Sequence, residues 1–143
     1  MFEYSKIAYA IDVNDTVAEN CHHVAQYAIK KNAELHIVSV HKTIFDYGYS
    51  AGVSEHTPNQ IIKMKIKHKL NELTEDYRNK NNVTIKLIEN DSIADGIVSY
   101  VRECNIDLLV LNGHHHGIFG RMGSVASKIS NNAPCDVMIL KNA

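Results

Sequence analysis

The chain has 143 residues, enough for one compact α/β domain and too few for two of ordinary size, so we expect a single domain over residues 1–143. Hydrophobic residues make up 45% and charged residues 22%, a composition typical of a soluble globular protein. The formal net charge of -1 argues against a nucleic-acid-binding protein that works through a broad basic surface.

The N-terminus and the cysteines indicate a cytoplasmic protein. Residues 1–12 contain no cationic stretch followed by a long apolar run, so we predict no secretory signal. No apolar run approaches the roughly 18 residues that a membrane-spanning helix needs. Cys21, Cys104 and Cys135 show no CxxC spacing, which favours thiols packed as small apolar side chains in a reducing compartment.

The first predicted strand covers residues 6–11, and its apolar run is typical of a strand buried on both faces of a sheet. Asp12 ends this strand. A helix capped by Asp15 or Thr16 follows, with apolar residues at helical spacing that should face the sheet. The stripe comprises Val17, Cys21, Val24, Ala25, Ala28 and Ile29.

The second predicted strand covers residues 35–40 and ends at Val40. Residues 41–56 show no sustained period, and a loop of this length in a compact domain is usually functional or mobile. A second helix begins at Pro58, with Thr57 as its cap. Its apolar stripe comprises Ile62, Ile66, Leu70, Leu73 and Tyr77. The other positions are highly charged, so we expect the opposite face to lie in solvent.

Three further strands complete the pattern, over residues 83–88, 107–111 and 137–140. The first of these alternates apolar and polar residues, which predicts an edge strand with one face in water. A third helix, capped by Asp91 or Ser92, lies between the first two of these strands. A short helix over residues 124–130 lies between the last two.

The alternation of strands and helices predicts an α/β fold, with a five-stranded parallel sheet, right-handed crossovers and helices on both faces. In such sheets, ligands bind beyond the carboxyl ends of the strands, at the point where the strand order reverses. Asp12 and Gly113 follow the first and fourth strands. They would open onto the same crevice if these two strands are neighbours.

The clearest chemical signal follows the fourth strand. There, a loop rich in glycine and histidine leads to Gly123-Ser124 and a helix. Backbone amides in such a turn and at a helix N-terminus form a concave, partly positive site for an anion, above all phosphate. Because Gly and Ser are also ordinary helix caps, Gly123 and Ser124 either contact a phosphate or simply start the helix.

We predict neither a dedicated metal site nor a catalytic group. The run His114-His115-His116 offers imidazoles, but successive loop residues point in different directions, and no Asp, Glu or Cys lies at ligand spacing nearby. The chain has no GxSxG, HExxH or GxxxxGK[ST] motif. Any ATP hydrolysis would therefore depend on positioning alone and should be slow.

Four segments of the chain together resemble the universal stress protein family. They are KIAYAID near the N-terminus, LHIVSVH, the run from DSIADG to NGHHHG, and GSVASKISNNAPCDVMILK. The segment DYGYSAG and the paired histidines after Gly113 are most similar to the universal stress protein A branch. The resemblance implies a Rossmann-like sheet of strand order 3-2-1-4-5 and a homodimer formed through the last strand.

The resemblance also implies positions for a nucleotide. Nucleotide-binding members hold ATP with the pattern Gly-x2-Gly-x9-Gly-Ser/Thr after strand four, while an acidic residue after strand one and the end of strand two embrace adenine and ribose. The matching positions are Asp12 (acidic), Val40 (end of strand two), Gly113 (first Gly), Gly123 and Ser124 (closing pair), and Val125 beside them. For Asp12 the alternative is a turn residue that bonds its own backbone.

The loop departs from the family pattern in two ways. His116 occupies the position of the middle Gly, and Gly113 and Gly123 are ten residues apart where the full pattern has thirteen. In the branch that this chain resembles, ATP binding is often absent. Two alternatives follow for cofactors: the crevice holds ATP or AMP, or it holds no nucleotide.

We therefore expect a small cytoplasmic, homodimeric protein that acts in the stress response by binding and regulation, without nucleic-acid or membrane partners. Its ligand would be an adenine nucleotide if the shortened loop accepts one. The alternative is a slow ATP hydrolase or phosphotransferase of the same fold, which would use Ser124 or a bound metal.

Overall fold

Strands and helices alternate along the described chain. The computed structural model describes residues 3–16, 18–43, 58–113 and 121–141, and for residues 121–123 it describes the backbone only. The elements are β1 (Lys6–Ile11), α1 (Ala18–Lys30), β2 (Glu34–Lys42), α2 (Pro58–Leu73), β3 (Val83–Asn90), α3 (Ile93–Glu103), β4 (Leu108–Asn112), α4 (Arg121–Asn132) and β5 (Asp136–Leu140). The strands pair in parallel in the order β3-β2-β1-β4-β5. This confirms the predicted Rossmann-like sheet and its strand order.

β1 lies at the centre of the sheet because its residues are apolar on both faces. It pairs with β2 on one side and β4 on the other, and every residue from Ile7 to Ile11 is buried. Tyr9 belongs to a hydrophobic cluster with residues of α1 and α2, whereas Ala8 and Ala10 cluster with residues of α3 and α4. The sheet thus separates two apolar layers, as a doubly wound fold requires.

The predicted helix stripes are confirmed at most positions. The buried residues of α1 are Cys21, Val24, Ala25 and Ala28, and the predicted stripe residue Val17 lies outside the described residues. Burial raises the pKa of the Cys21 thiol to about 11, so this side chain packs as an apolar group. The prediction for Ile29 is wrong: it is 53% exposed, because it lies at the edge of the stripe near the helix end. Tyr77 is buried although it follows the end of α2.

None of the described helices is long and apolar enough to cross a membrane.

The end of β2 and the start of α4 are among the boundaries near the carboxyl edge of the sheet that differ from the prediction. β2 extends to Lys42, two residues beyond the predicted end, because its register with β3 continues to the pair of Lys42 and Asn90. α4 begins at Arg121, so Gly123 and Ser124 lie within its first turn instead of capping it. The first turn of a helix carries the positive end of the helix dipole, so this position still favours an anion.

The predicted cap is present at α3, whereas a residue predicted to cap α1 bonds within the preceding loop. Ser92, one of the two predicted caps of α3, is extended (φ -125°), and its Oγ accepts a hydrogen bond from the Asp95 amide at 3.2 Å. α1 begins only at Ala18. The hydroxyl of Thr16, one of its predicted caps, donates instead to the carbonyl of Asp12 at 2.7 Å, which makes Thr16 part of the loop after β1.

β3 and β5 form the two edges of the sheet. In β3, half-buried and exposed residues alternate over most of the strand, which confirms the predicted edge strand with one face in water.

Candidate functional site

A crevice of about 580 Å³ opens at the carboxyl ends of β1, β2 and β4. Strand order reverses at β1 and β4, and this is where open α/β sheets bind ligands. The volume is within the range of small-molecule sites. A second groove, beside Lys80 and Val83 near the start of β3, holds about 150 Å³ and is too small for a nucleotide.

The crevice brings together four of the six residues predicted for a nucleotide. These are Asp12, Val40, Gly113 and Val125. Gly123 and Ser124 immediately precede Val125 in the first turn of α4. The glycine and histidine loop, with the histidines at 114–116, and most of the predicted loop after the second strand lie outside the described residues.

Asp12 shapes the loop after β1. Its Oδ1 accepts a hydrogen bond from the Asn14 amide at 2.9 Å, and its carbonyl accepts from the Asp15 amide at 3.1 Å and from the Thr16 hydroxyl. The Lys69 ammonium of α2 donates to Asn14 Oδ1 at 2.6 Å, so the loop is also tied to the helix above it. The alternative predicted for Asp12, a turn residue, is therefore present. It uses one of the two carboxylate oxygens.

Gly113 has a packing reason of its own to be glycine. Its amide donates to the carbonyl of Leu140 at the end of β5. A Cβ at this position would lie 2.8 Å from the Leu140 carbonyl oxygen and 3.1 Å from the Lys141 Cα. Any other residue would push the ends of β4 and β5 apart, so this glycine needs no ligand to explain it.

Asn112, which we did not predict, lies at the floor of the crevice. Its Oδ1 accepts a hydrogen bond from the Tyr9 phenol at 2.6 Å, and its Nδ2 donates to Thr16 Oγ1 at 3.1 Å. Burial raises the pKa of Tyr9, which keeps the phenol protonated and able to donate. The sequence signal that could have identified Asn112 is its position as the polar last residue of a buried strand, at the point where the strand order reverses.

The walls of the crevice come from helices on both faces of the sheet. Ile62 and Ile66 belong to α2, and Ile93 and Ile97 belong to α3. Lys42, at the end of β2, adds a positive charge to the lining. Apolar walls and a polar floor suit a ligand with a flat ring and hydrogen-bonding substituents. Among the residues that the structure describes, no group of three or more His, Cys, Asp or Glu could hold a metal ion.

Comparison with known proteins agrees with this geometry. Universal stress protein A homolog 1 from Coxiella burnetii (strain RSA 493 / Nine Mile phase I) is 29% identical over an alignment of 144 positions that covers 94% of each chain. A universal stress protein solved in complex with cAMP has a TM-score of 0.69 at 18% identity, covering 99% of this chain and 100% of that one. One from Archaeoglobus fulgidus, solved in complex with dAMP, has a TM-score of 0.64 at 20% identity, covering 98% and 100%. At such identities the two structures show a shared fold.

The model of the Universal stress protein family matches residues 3–141, nearly the whole chain. With the predicted strand order and the crevice at its reversal both present, this protein belongs to the universal stress protein family.

Proposed function

We propose that this protein is a homodimeric cytoplasmic regulator of the stress response whose crevice binds an adenine nucleotide. The observation that carries the proposal is the convergence of Asp12, Val40, Gly113 and Val125 on one crevice at the carboxyl edge of the sheet. The universal stress proteins solved in complex with cAMP and dAMP, which share the fold of this chain, support the choice of ligand.

Each part of the nucleotide would meet a different part of the crevice. The base lies next to Val40, between the isoleucines of α2 and α3. The Asp12 carboxylate accepts a hydrogen bond from a ribose hydroxyl, since its bond to Asn14 uses only one oxygen. The phosphate lies beside Gly123 and Ser124 at the first turn of α4, where the helix dipole favours an anion.

The proposed dimer forms through β5. This strand pairs with β4 on one side and is an edge of the described sheet on the other. Met138 and Ile139 on it are 41% and 40% exposed. Apolar side chains on an open strand edge favour pairing with another strand, and a second copy of the chain supplies a matching one.

Titration calorimetry with AMP tests the nucleotide site. Asp12→Asn keeps the acceptor for the Asn14 amide, because Asn forms the same turn, but replaces the second oxygen by a donor. We expect wild-type protein to bind AMP and Asp12→Asn to bind roughly tenfold more weakly. The matched control is Asp76→Asn, the same charge change at an exposed position beyond the end of α2, which should leave the affinity unchanged.

Three outcomes would count against parts of this proposal. If the wild-type protein gives no binding heat with either AMP or ATP, the proposed nucleotide binding is wrong. Equal affinities for wild-type protein and Asp12→Asn would remove the role of Asp12. Release of ADP from ATP and Mg²⁺ above a no-protein control would make the protein a hydrolase instead of a binding protein.

A further inference from the structure

We propose that Asn112 and Thr16 are positioning residues, which hold the loop after β1 against the end of β4 so that the crevice is formed before a ligand arrives. This inference rests on the proposed function for the identity of the ligand. The hydrogen bonds that carry it belong to the protein alone.

Four groups at the floor of the crevice form a chain of hydrogen bonds in which each donates to the next. The chain runs from the Tyr9 phenol through Asn112 and Thr16 to the Asp12 carbonyl. The Asp12 carbonyl can only accept, so the Thr16 hydroxyl, 2.7 Å away, must donate to it. The Thr16 oxygen is then left to accept from the Asn112 carboxamide, so Nδ2 must face Thr16 at 3.1 Å. This orientation turns Oδ1 of Asn112 towards Tyr9, whose phenol donates to it at 2.6 Å.

The chain connects parts of the protein that are far apart in sequence. Asn112 is 103 residues from Tyr9 and 96 residues from Thr16. Tyr9 is fully buried and Thr16 is 8% exposed, while Asn112 is half-buried at the crevice, so loss of these bonds costs most at Tyr9 and Thr16. Moving the loop after β1 away from β4 would therefore leave buried polar groups without partners. The bonds restrict the loop to the arrangement that places Asp12 at the crevice.

The middle of this chain needs a side chain that accepts from Tyr9 and donates to Thr16 at the same time, and the Asn112 carboxamide does both. An aspartate at position 112 would be an acceptor when ionised and could not donate to Thr16. A leucine would leave both the Tyr9 phenol and the Thr16 oxygen without a partner. The chemistry of the carboxamide, an acceptor and a donor on one flat group, is what couples β1 to its following loop through the end of β4.

The chain itself supplies a matched pair of threonines for the test. Thr16 and Thr74 are both buried, and each hydroxyl donates at 2.7 Å to the carbonyl four residues earlier. Thr74 follows the end of α2 and is not part of the crevice. Thr16→Val and Thr74→Val each remove one such hydroxyl at nearly constant volume, and Thr16→Ser restores it.

Two measurements are made on the full-length variants. Calorimetry gives the AMP affinity, and NMR hydrogen exchange without nucleotide gives the protection of the Asn14 and Asp15 amides, both of which bond to Asp12. We expect Thr16→Val to weaken AMP binding roughly tenfold and to speed exchange of both amides by a similar factor. Thr16→Ser should return both quantities to wild-type values, and Thr74→Val should change neither.

The positioning role is overturned if Thr16→Val matches wild type in exchange, or if Thr74→Val weakens binding and protection as much as Thr16→Val does. If wild-type protein binds no AMP, the proposed function fails, and exchange alone decides the positioning role. Faster exchange of the two amides in Thr16→Val but not in Thr74→Val would then still support it.

Discussion

The phenol of Tyr9 reaches from the buried centre of β1 to the floor of the crevice, where Oδ1 of Asn112 accepts its hydrogen bond. Tyr9→Phe removes the phenol that donates this bond and leaves Oδ1 of the partly buried Asn112 without its partner. We expect the free energy of unfolding to fall by about 1–2 kcal/mol, the usual cost of leaving such a group unpaired. Urea unfolding followed by circular dichroism measures this change.

Tyr4 offers the matched control, because its phenol also donates to a side chain, Asp136, at 2.8 Å, but in an exposed position. Water can replace that bond, so Tyr4→Phe should leave the urea midpoint nearly unchanged. Equal shifts of the midpoint in Tyr4→Phe and Tyr9→Phe would contradict the energetic role assigned to the buried bond.

At the scale of single residues, the sequence predicted the location of a side chain where that location depends only on its position relative to an apolar run. Asp12, Val40 and Gly113 come at the ends of apolar runs, so their place at the carboxyl edge of a parallel sheet followed from the run itself. The role of Asn112 was not predictable in this way, because it depends on which distant side chains the fold brings within hydrogen-bond distance.

At the scale of elements, the joint between β4 and β5 depends on Gly113. Gly113→Ala places a Cβ 2.8 Å from the backbone oxygen of Leu140, which cannot move unless β5 moves with it. We expect a loss of about 1–3 kcal/mol in the free energy of unfolding, as for other overpacked positions. Urea unfolding measures the loss, and NMR amide shifts along β5 should report the displacement.

Gly96→Ala is the corresponding control in α3. Its Cβ would lie 3.1 Å from Asn90 Cβ and 3.3 Å from Ile88 Cγ2, contacts that a shift of a few tenths of an ångström relieves, whereas the 2.8 Å approach to the Leu140 oxygen requires a larger movement. Alanine also favours the helix by about 1 kcal/mol over glycine. A loss for Gly96→Ala as large as that for Gly113→Ala would refute the argument from backbone contact.

Strands and helices were predictable where a hydrophobic pattern alone determines them. β1 matches its predicted range, and the other strands differ by one or two residues at their ends. The extension of β2 to Lys42 was not predictable because it depends on pairing with β3, a tertiary contact. For α4, the pair Gly123-Ser124 indicated the start of a helix, but the helix begins at Arg121.

At the scale of the whole molecule, β5 is the edge at which we expect a second copy to bind. Met138→Lys places a charge on that edge, and lysine on an edge strand opposes pairing. We expect light scattering to give wild-type protein twice the 16.1 kDa mass of the chain and Met138→Lys the single mass. Met64→Lys is the matched control, since Met64 on α2 is 57% exposed, and it should remain dimeric.

A wild-type protein that stays monomeric at all concentrations would contradict the dimer, and a dimer that survives Met138→Lys but not Met64→Lys would move the interface to α2.

The strand order and the position of the crevice followed from the alternation of elements and the family resemblance. The dimer was implied by the family resemblance alone and stays a prediction, because assembly depends on the surfaces of two chains.

The two apolar layers of the molecule approach each other at the crevice. Ile66 packs with the layer of α1 and α2, and Ile97 with the layer of α3 and α4, yet both line the same crevice. A molecule held between them would act as a shared piece of both cores. Its binding would be linked to global folding, by about 2.7 kcal/mol when the ligand is at a hundred times its dissociation constant. The stability of the folded chain would then rise and fall with the concentration of that ligand.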